Sequence, residues 1–136
     1  MPKTLADFIA DARARTREMP AHELERRIEA GGEVLVIDVR EPYEHERGHV
    51  PGALLVPRGT LEGAADPANK HRMEALCGAQ ARPLVVCCDT GARSALAAAT
   101  LQEMGYPEVY SLAGGMALWE AEDMPMEDGP APNPLP

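Results

Sequence analysis

The apolar positions of this chain fall into short unbroken runs, separated by segments of helical spacing. Val34-Leu35-Val36-Ile37 is apolar at every position, rich in β-branched side chains, and ends in Asp38. A run without polar alternation fits a strand covered on both faces, as strands of parallel sheets are. Pro83-Leu84-Val85-Val86-Cys87 repeats the pattern. So do Ala53-Leu54-Leu55-Val56, stopped by Pro57, and Val109-Tyr110-Ser111-Leu112, which follows the Gly105-Tyr106-Pro107 turn. Leu5, Phe8, Ile9 and Ala12 recur at helical spacing behind Thr4-Leu5-Ala6-Asp7, which has the form of a capping box. This predicts a helix over about residues 4–17, broken by Met19-Pro20. Pro20 can open a second helix through Ala30, with Leu24 and Ile28 inward, and Gly31-Gly32 ends it. Further helical segments are expected near Tyr43–Glu46, Lys70–Leu76, Arg93–Met104 and Met116–Ala121, the last entered through Gly114-Gly115.

Strand–helix alternation predicts an α/β fold. The expectation is a central, mostly parallel sheet of about five strands with helices on both faces. Residues 1–19 read as an N-terminal helical extension and 20–125 as the domain. Residues 126–136 read as a disordered tail, since Glu127 to Pro136 holds four prolines and no apolar periodicity.

Composition then limits the function. A chain of 136 residues suits one domain with a real core. Its net charge of −9 argues against nucleic acid and against an anionic membrane surface. An anionic substrate would have to be held by local dipoles. The three cysteines, Cys77, Cys87 and Cys88, are odd in number, and no Cys/His cluster has zinc spacing. The first residues lack the apolar stretch of a signal peptide, and no apolar run reaches the roughly 20 residues that span a bilayer. A reducing, cytoplasmic setting is the expectation.

The chemistry concentrates in Cys88-Asp89-Thr90-Gly91-Ala92-Arg93-Ser94. A buried strand feeds this short Gly-containing loop, which opens into an alanine-rich helix. Backbone N–H groups of such a loop and helix start converge on one spot and hold an anion. Cys88 begins the loop, where a thiolate is stabilised, so it reads as a nucleophile. Cys87 would point to the opposite face of the strand and reads as a small core residue. Cys77 reads as structural or incidental.

The loop resembles the active-site loop of the rhodanese family of sulfurtransferases. So do Asp38-Val39-Arg40-Glu41-Pro42-Tyr43-Glu44 followed by Gly48-His49-Val50-Pro51-Gly52-Ala53, and so does Gly114-Gly115-Met116-Ala117-Leu118-Trp119. The three stretches are collinear and span about residues 20–125. The resemblance implies a single rhodanese-like domain with Cys88 as catalytic residue, carrying a sulfane sulfur as a persulfide. Asp89, Thr90, Gly91, Ala92, Arg93 and Ser94 would bind the substrate, with Arg40 and Arg58 at the pocket rim. It implies a small sulfur-containing donor, a thiol or cyanide acceptor or a protein acceptor, and neither a metal nor an organic cofactor. Four residues separate Cys88 from Arg93. Phosphatases of the same general fold use a loop one residue longer, so the shorter loop favours sulfur over phosphate.

Individual residues keep alternatives open. Arg93 would set a positive charge beside the sulfur, or pair with a carboxylate such as Glu41. Ser94 would cap the helix or hydrogen-bond the sulfur. Asp38 reads as a structural carboxylate, His49 as a loop-fixing residue and Trp119 as a packing anchor. Asp89 departs from the basic loops of thiosulfate-preferring members, because its carboxylate opposes a dianionic donor. The rival readings are an arsenate reductase or phosphatase on the same scaffold, and a non-catalytic protein-binding module.

Overall fold

Five short strands run in one direction through the computed structural model, which describes residues 1–133. In chain order the elements begin with α1 (Leu5–Arg15), β1 (Arg17–Met19), α2 (Ala21–Glu29), β2 (Leu35–Asp38), α3 (Pro42–Arg47) and β3 (Leu54–Leu55). A single 3₁₀ turn at Arg58–Thr60 leads into α4 (Leu61–Ala65), α5 (Glu74–Cys77), β4 (Leu84–Cys87), α6 (Ala92–Glu103), β5 (Val109–Leu112) and α7 (Gly115–Ala121). The strand order is β1-β5-β4-β2-β3, and every pairing is parallel.

The unbroken apolar runs now have their cause. Alternate side chains of each strand enter different cores. On one face Ile37, Leu84, Val86 and Val109 pack with Leu61 and Ala64 of α4, Leu76 of α5, and Ala97 and Leu101 of α6. On the other, Val36, Val85 and Leu112 pack with Leu24 of α2 and with Met116 and Trp119 of α7. Removing any one of the fully buried leucines should cost about 2–5 kcal/mol.

The ends of the chain are tied in more closely than the pattern of residues suggested. The capping box at Thr4 forms, with Asp7 N–H donating to Thr4 Oγ1 and Thr4 N–H to Asp7 Oδ2. The helix stops at Arg15 rather than near residue 17, because Thr16 turns to extended backbone. Arg17–Met19 instead becomes β1, the edge partner of β5. Helix α1 lies on α6 through Ala12, Ala95 and Ala99. At the other end, the expectation of a disordered tail from residue 126 meets a different arrangement. Glu127 pairs antiparallel with His49 and Gly129 N–H donates to the Glu46 carbonyl. Asn133 exchanges hydrogen bonds with the backbone of Leu55 on edge strand β3, while residues 134–136 lie outside the described residues. Helix α4 had no signal in the periodicity, and α5 starts later than the 70–76 segment expected.

Candidate active site

Strand β4 ends at Cys87, and the six residues after Cys88 fold back on its sulfur. Cys88 Sγ accepts the N–H groups of Gly91 (3.0 Å) and Ser94 (3.3 Å). The Ser94 hydroxyl stands 3.3 Å from the same sulfur and 2.8 Å from Ser111 Oγ on β5. Ser94 therefore does not cap α6. It lies inside the helix, buried, with its hydroxyl turned to the sulfur. The N-cap position belongs to Gly91, whose φ of +106° is a conformation an L side chain rarely adopts. Ala92 is the first helical residue, and Asp89 and Thr90 are exposed at the outer rim of the loop.

A second glycine pair braces the loop from below. Met116 N–H donates to the Cys88 carbonyl (2.8 Å) and Ala117 N–H to the Asp89 carbonyl (3.0 Å). Gly115, with φ of +60°, makes this approach feasible. A Cβ there would stand 2.6 Å from both carbonyl oxygens.

Arg93 leaves the loop and meets Glu44 of α3 in a two-pronged pair of 2.8 and 3.0 Å. Glu44, not Glu41, is its carboxylate. The Arg93 hydrogen bonds hold the Glu44 carboxyl down at about 2, well below the usual carboxylate range. Glu44 Oε1 also accepts the Glu41 N–H at the start of α3.

Beneath α3 lies a buried polar cluster. Arg40 makes paired 3.0 Å bonds to the two oxygens of Asp38 and donates to the Gly48 carbonyl (2.7 Å). His45 Nδ1 lies 2.8 Å from Asp38 Oδ2, and its ring stacks on His49 at 3.6 Å. Burial pushes the His45 imidazole below its usual range, so the ring is neutral with Nδ1–H donating to Asp38. His45 Nε2 has no hydrogen-bond partner among the described residues. Asp38 and His49 thus serve the structure, as expected from the sequence. Trp119 is buried and donates to the Pro125 carbonyl.

Arg40 lines a cavity of about 280 Å³ beside Asp89, shared with Glu44, Arg47, Met116, Glu120 and Met126. Arg58 does not reach it: its guanidinium is held by Glu62 and by Thr100 of α6. A larger cavity of about 670 Å³ runs along Arg47, His49, Glu127 and Pro130, and none of the loop residues lines it. Cys87 faces the α2/α7 core, where burial and then Asp38 push its thiol well above the usual range. Cys77 donates weakly to the Ala64 carbonyl of α4. Among the described residues no group of three or more His, Cys, Asp and Glu side chains is placed to hold a metal ion. Among the described residues no helix is long and apolar enough to cross a membrane.

The chain and its fold have counterparts among known proteins. The family model for the rhodanese-like domain matches residues 20–122. The chain belongs to the rhodanese-like domain family. It is 31% identical over 109 residues to a sulfurtransferase of Allochromatium vinosum, covering 80% of this chain and 92% of that one. It is 33% identical over 89 residues to the thiosulfate sulfurtransferase GlpE of Pseudoalteromonas translucida, covering 65% of this chain and 75% of the relative. Among solved structures, a Rhodopseudomonas palustris protein of unknown function, described as a possible tyrosine phosphatase, superposes with a TM-score of 0.85 at 30% identity. That match covers 93% of this chain and 99% of the other. The chain spans half or less of some other curated relatives it matches, 50% of one and 29% of another. The stretches that carried the resemblance are residues 88–94, 38–44 with 48–53, and 114–119. His45 lay just outside the 38–44 stretch, and Glu44 within it was given no partner, because nothing local marks either apart from the other charged residues of a short helix. Ser111 read only as a strand residue; a lone hydroxyl within an apolar strand is the signal that could have singled it out.

Proposed function

We propose that this protein is a sulfurtransferase that carries a sulfane sulfur on Cys88. The observation that supports it is the pair of N–H groups, from Gly91 and Ser94, aimed at Cys88 Sγ. In the first half-reaction the Cys88 thiolate attacks the sulfane sulfur of a donor. A new S–S bond forms, the donor's own bond to that sulfur breaks, and the leaving group departs with the electron pair. The persulfide anion that results sits where loop N–H groups and the start of α6 favour negative charge. In the second half-reaction an acceptor nucleophile, a thiolate or cyanide, attacks the outer sulfur and the Cys88 thiolate returns. Asp89, Thr90, Gly91, Ala92, Arg93 and Ser94 form the wall around the transferred atom. Arg40 holds the α3 side of the pocket through Asp38. Arg58 has no part in it.

The similarity to a possible tyrosine phosphatase raises a second reading. Loop length supports the first reading: four residues between Cys88 and Arg93 enclose a single sulfur atom more closely than a tetrahedral phosphate. Intact-protein mass measurement after incubation with thiosulfate or 3-mercaptopyruvate should show a gain of one sulfur atom. Hydrolysis of an aryl phosphate that depends on Cys88, with no sulfur gained from either donor, would overturn the proposal.

A further inference from the structure

The cation that the loop itself supplies, Arg93, is neutralised by Glu44. Arg13 is not so engaged. It follows Ala12 on α1, and Ala12 is buried against Ala95 and Ala99 of α6. That packing delivers the Arg13 guanidinium to the loop. Its Nη2 stands 3.5 Å from the point a Cβ on Gly91 would occupy. The Gly91 N–H in turn donates to Cys88 Sγ at 3.0 Å. Covalent geometry then keeps Nη2 within roughly 9 Å of the sulfur, about one Debye length at physiological salt. Among the described residues Arg13 forms no hydrogen bond or ion pair. It lines a cavity of about 180 Å³ with Thr16, Glu18, Ala95 and Ser111, and although Glu18 is a carboxylate the two make no ion pair. The opposite flank of the loop presents Asp89 to the cavity that holds Glu44 and Glu120 together with Arg40 and Arg47. The loop therefore has a cation without an ion-pair partner on its α1 side and a cavity of mixed charge on its α3 side.

We infer that Arg13 selects the sulfur donor: it holds the anionic end of a donor with a departing oxyanion, of which thiosulfate is the type. The inference rests on the sulfur-transfer reading for the identity of the donor. In the step it serves, the Cys88 thiolate bonds to the sulfane atom of thiosulfate and the S–S bond of thiosulfate breaks. Sulfite leaves with the electron pair, and the persulfide keeps one negative charge. A guanidinium stays charged at every working pH, so Arg13 offsets the charge gathering on the sulfite as it departs. The residue comes from α1, outside the matched residues 20–122.

The test uses the full chain with Arg13→Gln and Arg13→Lys. Arg13→Gln should lower kcat/KM for thiosulfate about three- to tenfold more than for the less charged 3-mercaptopyruvate. Arg13→Lys should restore most of the loss, and added salt should narrow the gap. A second measurement does not depend on sulfur transfer. The rate at which iodoacetate alkylates Cys88 is divided by the rate for neutral iodoacetamide, with the site read by peptide mass. Both reagents meet the same thiolate, so any change in its ionisation cancels in the ratio. Arg13→Gln should lower that ratio several-fold. An unchanged donor preference with an unchanged alkylation ratio would overturn the role of Arg13 while leaving the sulfur-transfer reading intact. If no donor loads the wild type, the sulfur-transfer reading falls and the alkylation ratio alone decides whether Arg13 attracts anions to Cys88.

Discussion

Cys87 and Cys88 are adjacent, and each is only 1% exposed, yet they occupy opposite chemical worlds. Cys87 is the last residue of β4 and turns into the α2/α7 core. Its surroundings are apolar apart from the Asp38–Arg40 pair, and among the described residues no hydrogen-bond donor meets its sulfur. Cys88 is packed on the α4–α6 side, but its sulfur meets two backbone N–H groups and a hydroxyl. Burial is equal, so burial does not separate the two thiols. What differs is the direction of the backbone dipoles, and that follows from where the strand ends and the loop begins.

The comparison breaks first at the cysteines. Cys88→Ser should lower sulfur transfer on the order of a hundredfold or more, to background, and lose the sulfur adduct. Cys87→Ala should keep both, at a stability cost of roughly 1–2 kcal/mol for the small hole it leaves. If Cys87→Ala abolishes the adduct instead, the sulfur sits on the other face of the strand and the loop has been assigned to the wrong residue.

Next in size is the brace under the loop. Gly115→Ala places a Cβ against the carbonyl oxygens of Cys88 and Asp89, in a left-handed backbone conformation. The expected loss is about 2–4 kcal/mol by thermal or denaturant unfolding. Transfer in the folded fraction should fall as well, because the carbonyls must move and carry the N–H donors with them. Gly114→Ala makes a useful companion. It is strained too, but its Cβ would stand 2.6 Å from Leu118 Cβ on α7 rather than against the loop backbone. Equal loss of transfer in both variants would show that the loop does not depend on the Gly115 contact.

A smaller effect separates the two charges of the pair over the loop. The Glu44 carboxyl is held at about 2 in the fold, against an ordinary value of 4.5. A lowered carboxyl stabilises the fold fully above the unfolded value, and that stabilisation is lost as pH falls from about 4.5 through about 2. Arg93 is partly exposed, so solvent screening leaves the pair worth only about 1 kcal/mol near neutrality. Wild type and Glu44→Gln should therefore differ in stability at pH 7 and converge in strong acid. A difference that stays constant down to the acid limit would mean that packing, not charge, sets the contribution of Glu44.

The sequence displayed some of this arrangement and hid the rest, for reasons that differ by residue. Both cores were legible, because parallel strands buried on two faces leave unbroken apolar runs such as Val34–Ile37. The loop was legible as a unit, since strand, glycine and helix start are contiguous. Strand β1 was not. Two of its three residues are charged and exposed, and only Met19 is buried, so it has no strand pattern. Its identity depends on pairing with β5. The partner of Arg93 was one helical turn away from the one considered, Glu44 rather than Glu41, and only the placement of α3 decides between them. Arg58 was expected at the rim only through the resemblance of its segment to single-domain family members, and its contacts with Glu62 and Thr100 turn it to α6. Arg13 could not be placed by any local rule, since its approach to Gly91 depends on how α1 lies on α6.

The finest test of the contrast between the cysteines concerns the residue that follows them. Asp89 is exposed on the rim and lines the cavity with Arg40, Glu44 and Arg47. If backbone dipoles make Cys88 a nucleophile, the side-chain charge beside it should tune which donor is chosen, not whether transfer occurs. Thiosulfate carries two negative charges, and at partly screened separations of several ångströms one carboxylate opposes it by on the order of 1 kcal/mol, or several-fold in rate. Asp89→Arg reverses that charge. It should raise kcat/KM for thiosulfate several-fold more than for 3-mercaptopyruvate, and the gain should shrink as salt is added. The Arg13→Gln and Asp89→Arg changes should then add in free energy, since the two side chains approach the loop from different sides and share no contact. A donor preference that does not move with Asp89→Arg would show that this carboxylate faces open solvent, with the fixed N–H groups and the cation from α1 left to sort the donors.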